Sequence, residues 1–71
     1  MQRFLRYSLE KQRKIRAVLM IDGMISQLNL LVTALSDTEV SFISAKHKSG
    51  ITLPLEAILS ADYLKSDKAE D

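Results

Sequence analysis

The side chains able to do chemistry crowd the start of the chain. Arg3, Arg6, Lys11, Arg13, Lys14 and Arg16 stand against Glu10 alone in the first 16 residues, a net charge of +5. On a helical wheel Arg3, Arg6 and Arg13 share one side with Glu10. Three guanidinium groups in a row can contact phosphate oxygens, each contact releasing a condensed counterion. The plainer alternative is a solvated helix face, with Glu10 spaced to pair with Arg6 or Arg13. A second basic site is Lys46-His47-Lys48-Ser49-Gly50, where Lys46 and Lys48 could hold a phosphate or carboxylate. The plainer and preferred reading is an ordinary polar loop with glycine for its turn. Residues 17–64 carry a net charge of −3, so a basic end is joined to an acidic body. Such an end can dock on an anionic partner or on the acidic body of a neighbouring subunit.

Other chemistry has little material. The chain has no cysteine and one histidine, which leaves thiolate chemistry and metal ligation poorly supplied. No nucleophile stands with a base, and Asp22 and Asp37 fall in turns where they have structural roles. No catalytic residue, metal or cofactor is therefore expected, and the chain reads as a non-enzyme. Phe4 lies on the apolar side of the helix and Tyr7 stands alone, so stacking of single-stranded bases has weak support.

These residues need elements to position them, and 71 residues provide for one domain. An apolar fraction of 46% with 27% charged residues is that of a globular protein. Residues 2–13 lack Gly, Pro and β-branched residues and predict a helix, with Phe4, Leu5 and Leu9 on one side and Ser8 and Gln12 between them. Strands follow over Ile15 to Ile21 and Met24 to Leu35, joined by Asp22-Gly23, the dipeptide suited to a tight hairpin. After the Ser36-Asp37-Thr38 turn, Glu39 to Ala45 alternates as a third strand. Ile51 to Leu53 begins a fourth that Pro54 must end or push to an edge. A single helical turn over Leu55 to Ile58 and a last strand over Leu59 to Leu64 complete the plan.

The expected fold is mainly β with one N-terminal α-helix, a small five-stranded SH3/Sm-like barrel. The domain spans 1–64, with the helix over 1–13 and the barrel over 14–64; residues 65–71 read as a flexible tail. The competing fold is an open sheet with the helix on one face. The first two strands are apolar on both faces. A single barrel interior uses one of them, which leaves Val18, Met20 and Leu31 for an interface and predicts a homo-oligomer. The same three residues could line a small apolar pocket. Neither a signal peptide nor an apolar run long enough to span a membrane is visible, so the expectation is a cytoplasmic protein with no membrane partner.

Two families are similar in plan. Arg13-Lys14-Ile15-Arg16-Ala17-Val18 resembles the basic-aliphatic first strand of the WYL domain, an Sm-like barrel usually appended to bacterial transcription regulators. Thr52-Leu53-Pro54-Leu55-Glu56-Ala57-Ile58-Leu59-Ser60 resembles its F-x-L-D-R-I segment. This resemblance covers residues 13–64 and implies a barrel with a regulatory role. The family's Trp-Tyr-Leu falls near Glu39 to Phe42, where none of the three occurs. Its ligand-contacting arginine falls at Ala57, so no ligand role is carried over. Leu19-Met20-Ile21-Asp22-Gly23-Met24-Ile25 resembles the first hairpin of the bacterial Sm-like RNA chaperone. That family's RNA-contacting Lys-His pair falls near Leu55-Glu56, whereas Lys46-His47 stands one loop earlier.

Two functions are expected from these readings. One is a regulatory or accessory module that binds nucleic acid through its basic N-terminal segment. The other is a protein-interaction or oligomerisation module whose basic helix docks on an acidic partner.

Overall fold

The computed structural model describes residues 2–64; the tail predicted over 65–71 lies outside them. Helix α1 (Gln2–Lys11) leads into strands β1 (Ile15–Ile21), β2 (Met24–Leu35), β3 (Glu39–Ser44) and β4 (Ile51–Pro54). A 3₁₀ turn, η1 (Leu55–Ala57), precedes β5 (Ile58–Tyr63). The strands form one open antiparallel sheet in the order β4-β3-β2-β1-β5.

Local chemistry accounts for the connections. Asp22 (φ 52°) and Gly23 (φ 77°) both adopt positive φ, as a two-residue hairpin turn between Ile21 and Met24 requires. The Ser36 hydroxyl accepts the N–H groups of Thr38 and Glu39, closing the next turn. Pro54 is the last residue of edge strand β4, where its missing N–H costs no ladder bond, and its φ of −63° starts η1.

The middle strand serves two partners. Met24 to Leu30 pairs with β1, while Leu30 to Leu35 pairs with β3. A bulge between Val32 and Ala34 bends β2 within its second half. One face of the sheet carries the core: Ile15, Ala17 and Leu19, then Leu28, Leu30 and Val32, with Val40, Phe42, Ile58 and Leu5 of the helix.

Helix α1 docks on this face through a polar joint. Ser8 is fully buried. Its hydroxyl accepts the Val32 N–H at 3.0 Å, beside the β2 bulge, and donates to the Arg13 carbonyl at 2.7 Å. The predicted helix over 2–13 is corrected here: it stops at Lys11 because Gln12 turns left-handed (φ 56°). That turn lets the Arg13 N–H bond the Ser8 carbonyl at 3.3 Å, a Schellman-type closure, and brings the Arg13 carbonyl to the hydroxyl.

Other boundaries shift for similar reasons. β3 ends at Ser44 because Ser44 and His47 exchange backbone hydrogen bonds, which turns Ala45 out of the strand. β5 begins at Ile58 because that side chain fills the core opposite Leu19; the register slip between Val18 and Leu19 absorbs Leu59.

Ser8→Ala removes the acceptor of a buried N–H. We expect a loss of about 1–3 kcal/mol, read as a lower urea midpoint with an unchanged slope. An unchanged midpoint would show that Val32 does not depend on this hydroxyl.

Candidate functional site

The core side of α1 is set by Leu5 and Ser8, both fully buried, flanked by Phe4, Tyr7 and Leu9. Fixing that side sends Arg3, Arg6, Glu10 and Lys11 into solvent, followed by Arg13 beyond the helix end; all five are exposed. The Arg3 guanidinium lies 5.5 Å from the centroid of the Phe4 ring. Glu10, spaced to pair with Arg6 or Arg13, is exposed on the same side of the helix as Arg6. The helix therefore presents Arg3, Arg6 and Lys11 as exposed cations, with Arg13 at its end.

One prediction fails at Tyr7, which does not stand alone. Tyr7 and Phe4 both pack edge-on against Tyr63 of β5, with centroids 4.8 and 4.7 Å apart and interplanar angles of 77° and 71°. These rings anchor the first turns of the helix to the end of the last strand, so they serve packing.

The remaining cations lie elsewhere. Side chains alternate along β1, so Lys14, Arg16, Val18 and Met20 fall on the outer face, opposite the core. Lys14 and Lys48 meet there across an open groove of about 230 Å³, floored by Ile43, Ser44 and Ala45. Their approach follows from β2, which holds the start of β1 on one side and the end of β3 on the other. Arg16 stands between Asn29 and Asp62 in the register, with no ion pair among the described residues. Lys46 is exposed at the β3–β4 loop and lies outside the groove lining.

That loop is well tied. His47 Nδ1 lies 3.3 Å from the Ser44 hydroxyl, the His47 ring stands edge-on to Phe42, and the Gly50 N–H bonds the His47 carbonyl. Gly50 has φ 95°, as the closing turn requires. The loop thus holds Lys46 and Lys48 outward without enclosing a ligand.

The expected interface residues fall on the outer face. Val18 and Leu31 are half-buried and Met20 is 38% exposed. Leu31 pairs with Ile43, and Met20 pairs with Ile25, which is 66% exposed. Leu59, pushed out by the bulge, adds a further exposed apolar side chain at 45%. The sequence reading missed Ser8, whose signal was a hydroxyl centred in the apolar stripe, and missed Tyr63 and the meeting of Lys14 with Lys48.

Among the described residues no cluster of three His, Cys, Asp or Glu could hold a metal, and no helix is long and apolar enough to cross a membrane. Comparison with protein-family models, with curated proteins and with solved structures gives no match.

Tyr63→Leu deletes two ring contacts at the helix, each worth about 0.5–1.5 kcal/mol. We expect amide hydrogen exchange over residues 4–7 to accelerate roughly tenfold or more, while β2 amides keep the greater part of their protection.

Proposed function

We propose that this protein is a small non-enzymatic regulatory or accessory module of the cytoplasm that binds nucleic acid through the solvent face of α1. The observation that carries this reading is the docking of the helix. Burial of Leu5 and Ser8 commits one side to the core and leaves Arg3, Arg6 and Lys11 exposed on the helix, with Arg13 exposed just past its end. At about 1.5 Å per residue, Arg3 to Lys11 spans about 12 Å, the rise of roughly three to four base pairs. Cations fixed along such a length lose less side-chain and backbone freedom on binding than the same residues in a loose arm would.

The sheet supports an SH3/Sm-like barrel as the scaffold. The order β4-β3-β2-β1-β5, the sharing of β2 between β1 and β3, and the 3₁₀ turn between β4 and β5 all suit a sheet curling around one core. A second reading, a protein-interaction module, is favoured by the exposed Met20, Met24, Ile25 and Leu59. It uses a different surface and can coexist with the first.

The test is fluorescence anisotropy with short single-stranded RNA, single-stranded DNA and duplex DNA at two salt concentrations. Four cations in contact with a duplex give a salt slope of about −3.6, so affinity should fall on the order of 100-fold between about 50 and about 200 mM salt. Arg3→Glu with Arg6→Glu should cut low-salt affinity at least tenfold and bring the slope to about −2. Both residues are exposed, and the repulsion of Arg6→Glu by Glu10 costs only about 0.2–0.5 kcal/mol, so this variant should stay folded by circular dichroism. No binding at low salt, or the same affinity in the variant, would overturn the proposal.

A further inference from the structure

Paired and single-stranded nucleic acids make different demands on a cationic surface. A single strand offers bare bases, and proteins that hold it add aromatic side chains on which those bases stack, each stacked base being worth roughly fivefold or more in affinity. A duplex keeps its bases stacked on one another and offers a stiff, dense array of phosphates.

Two phenylalanines and two tyrosines are the whole aromatic stock of the chain, and all of them lie among the described residues. None stands as an open platform among the helix cations. Phe42 is fully buried in the core. Phe4 carries the Arg3 guanidinium over its ring, 5.5 Å from the centroid, and meets Tyr63 edge-on at 4.7 Å. Tyr7 meets the same Tyr63 at 4.8 Å. Tyr63 is 45% exposed, but it pairs with the core residue Ile15 and so stands on the face of the sheet that the helix covers. The His47 imidazole, edge-on to Phe42 and close to the Ser44 hydroxyl, belongs to the β3–β4 loop. We propose that the polymer held by the solvent face of α1 is a duplex, gripped through its phosphates. This rests on the nucleic-acid reading and names the form of its partner.

Charge density favours the same partner. Double-stranded DNA carries one charge per about 1.7 Å of axis, so each phosphate contact releases about 0.9 of a counterion, against about 0.7 on a single strand. For Arg3, Arg6, Lys11 and Arg13 together, the salt slopes are about −3.6 on the duplex and about −2.8 on the strand. With equal affinities near about 1 M salt, where the release term vanishes, the duplex is favoured about tenfold at about 50 mM and about fourfold at about 200 mM. Stiffness adds to this preference. A flexible strand must be ordered along cations that the docked helix holds in place, a cost that a preformed duplex does not bear.

The test is fluorescence anisotropy of the full chain with labelled probes of one length: a DNA duplex, an RNA duplex and the separated strands of each. The DNA duplex should bind about tenfold more tightly than its strands at about 50 mM salt, and the margin should narrow to about fourfold at about 200 mM. The RNA duplex should likewise exceed its own strands, and the ratio of the two duplexes tells which sugar is preferred. Two variants probe the reason. Glu10→Tyr puts a ring on the exposed cationic side of the helix, and Glu10→Gln removes the same carboxylate without adding one. Glu10→Tyr should bind single strands roughly fivefold or more tighter than Glu10→Gln, with duplex affinities of the two variants within about twofold. Single strands bound as tightly as the DNA duplex at low salt, or Glu10→Tyr no better on them than Glu10→Gln, would overturn the duplex inference while the nucleic-acid reading stands. Absence of binding to every probe at low salt would overturn both.

Discussion

The Ser8 hydroxyl is the polar joint at which the helix meets the sheet. Ser8 accepts from the Val32 N–H and donates to the Arg13 carbonyl, so one side chain joins the helix, the bulge of β2 and the exit of the helix. The Val32 N–H would otherwise be a buried donor without a partner, and the cost of leaving such a group unmade exceeds the gain from making the bond. The bulge and the left-handed Gln12 gain their purpose from it. The first turns an N–H out of the ladder toward the helix, and the second swings a carbonyl back toward the same oxygen.

The placement of charge follows from that joint. Once Ser8 and Leu5 are buried, helical geometry turns Arg3, Arg6 and Glu10 to solvent, while Lys11 is exposed as the last residue of the helix. Lys14 and Arg16 lie past the left-handed turn, on the outer face of β1. A run of basic residues that is continuous in sequence is thereby divided between two surfaces. The helix offers a row of cations, whereas Lys14 combines with Lys48 from a distant loop. Net charge over the first 16 residues reports the supply of cations and not their partition.

Much of the architecture was legible because it is written locally. Asp22-Gly23 marks the hairpin, and Pro54 marks the end of the edge strand and the start of the 3₁₀ turn. The details that escaped depend on residues far apart in the chain. Nothing near Ser8 announces that its partner is Val32, and nothing near Tyr7 announces Tyr63. The helix was read two residues too long because Gln12 is an acceptable helix former whose left-handed conformation is imposed by the docking of its neighbours. Of the candidate site, the exposure of Arg3 and Arg6 on the helix was anticipated, whereas Arg13, read as part of the same helix face, lies past the helix end. The Lys14–Lys48 groove was not anticipated, since it exists only because the bent β2 is shared.

The aromatic corner also has a consequence for timing. Phe4 and Tyr7 are made more than 50 residues before the ring that covers them, Tyr63. At roughly 5–20 residues per second, synthesis leaves those two rings without their cover for several seconds. A helix of 10 residues has little stability of its own during that interval. The helix is thus made before the strand end that covers it and settles after it. A chain cut short before β5 would display Phe4 and Tyr7 to any chaperone or protease that recognises bare aromatic side chains.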